Sequence, residues 1–267
     1  MISEVYNVDC LSFLESYGGG TIKLVVTDPP YKIDSWDGGP MMRTKEKLKW
    51  IKQMDVDNLS MSYNIQRFAE LLLKAQGGNI NAYFFCNKAQ IPEYFRIYVG
   101  ELGCKYDILS WHKTNALPTF HGKYLTDTEY ILYFRNKGGC NPQSYDDAKT
   151  YFIGEINIAD KRKWKHPTIK PINIVRTLVR NSSSPGDLVF DGFLGSGTTR
   201  IACYHEGRNF LGCELDKSFY DLQEKRYQQE CHGIEVFGEQ TYIQSSLWDL
   251  TPATALPGRP STAPGPE

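Results

Sequence analysis

"GDLVFDGFLGSGTTRIACYHEG" (186–207) reads as an apolar strand, a glycine turn and a helix, and "NFLGCELD" (209–216) then starts a second strand. A strand that feeds a helix through glycines and returns as a strand is the repeating unit of a doubly wound sheet. The turn places backbone N–H groups at a helix N-terminus, beside the strand ends where open sheets bind their ligands. The rest of the chain is read outward from this unit.

Downstream, "KSFYDLQEKRYQQ" (217–229) has a helical pattern, and the Pro/Ala/Gly/Ser-rich segment 251–267 is expected to be a disordered tail. Upstream lies "PINIVRTLVRNSS" (171–183), a helix opened by proline. Residues 136–165 are polar and read as irregular. Before them, "TEYILYFRN" (128–136), "YDILSWHK" (106–113) and "NAYFFC" (81–86) are strands, while "IPEYFRIYVGEL" (91–102) and "YNIQRFAELLLKAQ" (63–76) are helices. "TIKLVVT" (21–27) is a continuous apolar run, as expected of a strand buried on both faces of a parallel sheet. "CLSFLESY" (10–17) is a helix with Asp9 as N-cap, preceded by the short strand "SEVYNVD" (3–9). The alternation predicts one α/β domain over residues 1–250, built on a mostly parallel, doubly wound sheet with an antiparallel strand at its edge.

Composition narrows the function. The chain has 267 residues, a net charge of −1, seven cysteines and five histidines. The cysteines form no C-x-x-C pair, so reduced thiols and a cytoplasmic setting are expected. The histidines lack metal-ligand spacing, and no metal is expected. No apolar run is long enough to span a membrane, and the N-terminus lacks the order of a signal peptide. The near-neutral charge weighs slightly against nucleic acid as a partner. It is unevenly placed, however: "RTKEKLKWIK" (43–52) and "KRKWK" (161–165) are basic and each holds a tryptophan. Either run is a solvated face or a loop that touches phosphates.

The glycine turn nearly fits two phosphate motifs and fails both. As a P-loop, Gly192, Gly197 and Thr199 are in register, but Thr198 stands where lysine must reach the phosphates. As a dinucleotide fingerprint, Gly195 and Gly197 fit, but Arg200 takes the third glycine position. An adenosine carrying a sulfonium and an amino acid, with no phosphate, suits the turn better. Such a ligand needs close backbone approach and carboxylates rather than lysine. Asp191 ends the first strand and Glu214 the second, where an acid can accept both ribose hydroxyls.

"DPPY" (28–31) lies far upstream of "DGFLGSGTT" (191–199), with "HPTIKP" (166–171) just before the latter. In that order the three motifs resemble the β class of S-adenosylmethionine-dependent DNA amino-methyltransferases, in which the catalytic motif precedes the cofactor motif. The resemblance extends over "YNVDCLSFL" (6–14), "WHKTNALP" (111–118), "TEYILYF" (128–134) and "FLGCELD" (210–216). It implies a Rossmann-like sheet with circularly permuted motifs and S-adenosyl-L-methionine as cofactor. By the same resemblance, Asp191, Phe193, Gly195, Ser196, Gly197, Thr198 and Thr199 cradle the methionine end, and Glu214 holds the ribose. Asp9 and Cys10 lie at the adenine edge, and His166, Thr168 and Lys170 close over the methionine moiety.

The four residues Asp28, Pro29, Pro30 and Tyr31 then form the catalytic motif. An exocyclic base amine is a poor nucleophile because its lone pair is delocalised into the ring. Asp28 can accept one N–H and the Pro29 carbonyl the other, a carbonyl held in place by the following proline. The target base must leave the double-stranded DNA, and Tyr31 offers a ring on which it can stack, with Trp36 as a candidate second wall. Arg43, Lys45, Lys161, Arg162 and Lys163 are candidate DNA contacts within segments 32–60 and 136–165. The second segment is small for base readout, so the first segment or a second subunit of a homodimer shares the task. Aspartate before Pro-Pro-Tyr favours N6 of adenine over N4 of cytosine. A non-catalytic nucleic-acid-binding relative is the reading from another class. A restriction endonuclease partner and a bacterial or phage-infected cytoplasm go with the resemblance.

Overall fold

The structure, a computed structural model, describes residues 1–31, 63–116, 124–137, 139–166 and 168–234. Trp36, Arg43 and Lys45, the 32–60 segment and the 251–267 tail lie outside the described residues.

The strands are β1 (Ser3–Tyr6), β2 (Leu24–Thr27), β3 (Asn81–Cys86), β4 (Lys105–Lys113), β5 (Thr128–Arg135), β6 (Tyr151–Gly154), β7 (Leu188–Asp191) and β8 (Asn209–Cys213). They form one eight-stranded sheet in the order β1-β8-β7-β2-β3-β5-β4-β6. The helices are α1 (Cys10–Ser16), α2 (Ile65–Ala75), α3 (Ile91–Tyr94, continued by a π-helical stretch, Phe95–Glu101), α4 (Ile158–Trp164), α5 (Ile172–Ser182), α6 (Thr198–Glu206) and α7 (Lys217–His232).

Alternation along each strand divides the core into two layers. From β3, Ala82, Phe84 and Cys86 face α1, α2 and α3, which contribute Leu14, Phe68, Leu72, Tyr94 and Tyr98. Tyr83 and Phe85 face the other way, toward Val175, Leu178 and Val179 of α5 and Ala202 of α6. Both faces of the central strands β2 and β3 are therefore dry, which accounts for the unbroken apolar run of β2.

Two sequence expectations are corrected. The antiparallel strand is β5, and it lies inside the sheet between β3 and β4, paired antiparallel to both. The β3–α3–β4 connection skips one position, and β5 returns directly from β4 to fill the gap. That direct return needs no crossover helix, so the strand enters antiparallel. The true edge on this side is β6, parallel to β4. This also corrects the reading of 136–165 as irregular. Among the described residues of this segment Tyr151–Gly154 pairs with Ser110–Lys113 of β4, its burial alternating only between exposed and half-buried, and Ile158–Trp164 forms α4. A four-residue edge strand leaves too short a pattern for periodicity to detect.

The strand order places the site. β7 pairs with β2 in parallel register. From β7 the chain crosses by α6 to β8 on one side, and from β2 it crosses by α2 to β3 on the other. The β2/β7 boundary is thus the point where connections diverge and a crevice opens at the strand ends. Asp28 leaves β2 there and the glycine turn leaves β7.

Candidate active site

A cavity of about 310 Å³ occupies that crevice. It is lined from the β2 end by Asp28, Pro29, Pro30 and Tyr31, and from the segment before α5 by His166, Thr168 and Lys170. Asp191, Phe193, Gly195, Ser196, Thr198 and Thr199 line it from the glycine turn, and Glu214 from the end of β8. Three motifs far apart in the chain thus share one chamber. Asp9 and Cys10 line a smaller adjoining cavity with Tyr63, and Phe193 and Glu214 border both. Gly197 is absent from the wall among the described residues. It shapes the turn from behind, with φ of +82° and Gln223 Cβ only 3.0 Å from where its own Cβ would be. Gly195 has φ of +52°, and a Cβ there would meet His166 Nε2 at 3.0 Å. A side chain at either position would be strained and crowded.

The two cofactor-side acids are ligands of the turn as well as of the cavity. Thr27 Oγ1 donates to Asp191 Oδ1 at 2.7 Å, and the Phe193 N–H donates to the same oxygen at 3.1 Å. Glu214 accepts the Gly195 N–H at 2.6 Å and the Asp216 N–H at 2.9 Å, one on each oxygen. Burial pushes the Asp191 carboxyl up to about 6 and the Glu214 carboxyl up to about 7. Burial, reinforced by Arg226 and Lys170, lowers His166 to about 4, so the imidazole is neutral at pH 7. Its Nδ1 accepts the Thr168 N–H at 3.3 Å, which leaves Nε2 as the protonated nitrogen, beside Gly195.

Arg200, the residue that broke the dinucleotide motif, points away from the cavity. It donates to Gln223, pairs with Glu224, and lies 3.7 Å from the centroid of the Tyr227 ring. Its role is to seat α7 on α6. Thr198, where a P-loop carries lysine, is buried and accepts Arg226 Nη1 at 3.0 Å. That guanidinium also donates to the Ser196 carbonyl at 3.1 Å and is bound by Glu230 at 2.9 Å, so it is spent behind the turn. No described cation is left over in the chamber for a phosphate. The residues fit a ligand with hydroxyls and a positive centre, as S-adenosylmethionine has.

On the substrate side, the Pro30 carbonyl accepts Gln90 Nε2 at 3.0 Å, which ties the double-proline loop to the start of α3. Lys170, expected at the methionine moiety, reaches the catalytic motif instead. Its Nζ lies 2.9 Å from Asp28 Oδ2 and 3.1 Å from the Tyr31 hydroxyl. Burial raises the Asp28 carboxyl, against the pull of the lysine. Asp28 Oδ1 is buried and has no hydrogen-bond partner among the described residues. Tyr31 lines the chamber with its hydroxyl held by Lys170.

Of the five basic residues assigned to DNA, three are described: Arg162 and Lys163 are exposed on α4. Lys161 is half-buried, and burial together with Lys113 and Lys170 lowers its pKa although Glu129 opposes them. Trp164 of the same helix is buried and donates to Glu230 Oε1 at 3.1 Å.

Sequence reasoning missed Glu129 and Lys113, which pair at 2.6 Å beside Lys170. A signal was present. Glu129 shares its strand face with Ile131 and Tyr133, and Lys113 with Leu109 and Trp111, all core residues. Charges two residues from buried apolar positions on the same face are themselves buried and need partners.

The ionisation of Glu214 yields a testable consequence. Ribose hydroxyls donate more strongly to its charged form, so cofactor affinity should rise with pH below about 7 and level off above it. The slope cannot exceed about tenfold per unit for one proton. Titration calorimetry across this range checks it. Glu214→Gln should bind more weakly and lose the break near 7, retaining one near 6 from Asp191. A flat profile in the unaltered protein would remove Glu214 from the ribose site.

Comparison with known proteins agrees with this geometry. The family described as DNA methylase, the N6/N4 group, matches residues 22–225. The chain is 27% identical over 251 residues to the type II methyltransferase M2.MboI of Moraxella bovis, covering 85% of this chain and 88% of that protein. It is 26% identical over 246 residues to M2.DpnII of Streptococcus pneumoniae, covering 83% and 88%. Among solved structures, the M1.HpyAVI–SAM complex superposes with a TM-score of 0.63 at 23% identity, covering 85% of this chain and 100% of that one. The cytosine-N4-specific PvuII DNA methyltransferase superposes at 0.62 with 17% identity, covering 88% and 95%. The last two show the fold alone. The family match over most of the chain, together with a chamber that joins the three motifs, identifies this protein as a member of the N6/N4 DNA methylase family, an S-adenosylmethionine-dependent amino-methyltransferase of DNA.

Proposed function

We propose that the chain methylates N6 of an adenine flipped out of double-stranded DNA, with Asp28 as the principal acceptor for the amine. S-adenosylmethionine, when bound, supplies an electrophilic methyl group on a sulfonium. The protein supplies acceptors and a rigid floor. Asp28 Oδ1 accepts one amine N–H. The Pro29 carbonyl accepts the second, since the Pro30 carbonyl is already engaged by Gln90. Drawing both hydrogens into the plane of these acceptors localises the nitrogen lone pair, and the carboxylate offsets the positive charge that grows on nitrogen. Tyr31 presents a ring to the extruded base, which offsets part of the few kcal/mol that unstacking costs.

The observation that carries this reading is the unpartnered Asp28 Oδ1, since a buried carboxylate oxygen without a donor costs free energy unless substrate completes it. Exposed Arg162 and Lys163 on α4 fit phosphate contacts at the rim. The choice of adenine rests on aspartate, rather than serine, before Pro-Pro-Tyr. Incubation with labelled cofactor and mixed-sequence DNA, then nucleoside analysis, tests it. Label is expected in N6-methyladenine, and label only in N4-methylcytosine would overturn the base assignment.

A further inference from the structure

We propose that Lys170 is a positioning residue for the acceptor carboxylate rather than a ligand of the cofactor, and that Glu129 is the anchor that aims it. The inference rests on Asp28 being the amine acceptor.

The geometry assigns every hydrogen of the ammonium. Lys170 Nζ lies 2.9 Å from Asp28 Oδ2, 2.9 Å from Glu129 Oε2 and 3.1 Å from the Tyr31 hydroxyl. A lysine has three N–H donors, and three acceptors use them all. None remains for the carboxylate of a methionine moiety. The side chain is only 8% exposed, so water does not compete. Glu129, 18% exposed, binds Lys170 through Oε2 and Lys113 through Oε1 at 2.6 Å. Both its oxygens are therefore fixed, and β4 and β5 deliver a clamped carboxylate to the lysine. Burial disfavours the charge of Glu129, but the two lysines hold its pKa down to about 2.

Two consequences reach the reaction. Fixing Oδ2 on Lys170 leaves Oδ1 as the oxygen without a donor among the described residues, so the orientation of the carboxylate is set before substrate arrives. The ammonium also opposes protonation of a carboxyl that burial would otherwise keep neutral. The groups around Asp28 belong to several elements: Tyr31 on its own loop, Cys86 on β3, Glu129 on β5 and Asp191 on β7. Lys113 on β4 and Lys161 on α4 act on the same lysine–glutamate pair. Burial pushes the Cys86 thiol up to about 12, so it does not titrate in the working range. Lys170 is the cation in direct contact with the carboxylate.

The test is the pH dependence of turnover at saturating cofactor and DNA for Lys170→Met and Glu129→Gln, with cofactor affinity measured in parallel by calorimetry. For Lys170→Met the acidic limb should move upward by about one pH unit or more. Turnover at pH 6 should fall about tenfold for each unit moved and recover at alkaline pH. Glu129→Gln, which keeps the lysine but frees it, should shift the limb in the same direction by less. It also serves if Lys170→Met does not fold. Cofactor affinity should change less than about threefold in both. An unshifted limb in the folded variants, or a tenfold loss of cofactor affinity at constant profile, overturns the inference. Asp28→Ala separates the two levels. If that variant turns over normally, the acceptor reading itself fails. If it is inactive while the limbs stay put, only the role of Lys170 fails.

Discussion

Asp28→Asn is expected to lose about three orders of magnitude in turnover, as much as Asp28→Ala, although asparagine is isosteric and keeps one acceptor oxygen. The reason is the lysine. Lys170 Nζ, 2.9 Å from Oδ2, accepts nothing, so it selects the amide oxygen of an asparagine for its own contact. The amide nitrogen then takes the position of Oδ1, which has no partner among the described residues. A donor meets the donor hydrogens of the base amine, and the offsetting negative charge is gone. Losing one preorganised group of this kind costs roughly 3–4 kcal/mol in the barrier. Cofactor affinity should survive in large part, because Asp191 and Glu214 are untouched. Single-turnover methylation with calorimetric cofactor titration checks both halves. An asparagine variant within tenfold of the native rate would show that Oδ1 is not the group that grips the amine.

Arg226→Met should lower the stability of the fold by about 3 kcal/mol, the lower end for removing one member of a buried ion pair. The side chain is 1% exposed on α7, yet its Nη1 reaches Ser196 O, Ser196 Oγ and Thr198 Oγ1 in the glycine turn. Methionine takes the donor away from the Ser196 carbonyl and leaves the Ser196 and Thr198 hydroxyls only their contact with each other. For a domain of this size each kcal/mol moves Tm by roughly 2–4 °C, so a fall of about 6–12 °C is expected in thermal unfolding. The same variant should bind cofactor more weakly, because the turn loses its support from behind. Saturating cofactor should restore part of the lost Tm by mass action. The arginine also connects the turn, through Glu230, to Trp164 on α4, the helix that carries Arg162 and Lys163. A Tm within about 1 °C of the native value would mean that the turn holds its shape without the guanidinium.

Much of the fold was legible because its signals are local. The apolar run of β2, the proline before α5, and the glycines at 195 and 197 each act on their own segment. The phosphate motifs could be rejected at Thr198 and Arg200 for the same reason, since one side chain at one position decides whether a cation is available. The structure adds where those side chains went: Thr198 to Arg226, and Arg200 to α7. Lys170 shows the limit. A lysine two positions after Thr168 in a cofactor motif gives no sign of which neighbour it faces. Its partners lie just past the end of β2 (Asp28) and on β5 (Glu129), 142 and 41 positions away.

From the sequence alone come the succession of strands and helices, the three motifs and their order, and the class of ligand the turn accepts. Each follows from residue type and short-range spacing, which persist whatever the chain does elsewhere. The tertiary structure decided three things the order of residues could not. It set β5 inside the sheet, because strand position depends on which gap a connection leaves. It brought Lys170 onto Asp28 and Glu129, because an ion pair forms wherever packing brings charges together in a dry place. It left one oxygen of Asp28 open, because only the full set of neighbours determines which lone pairs are already taken.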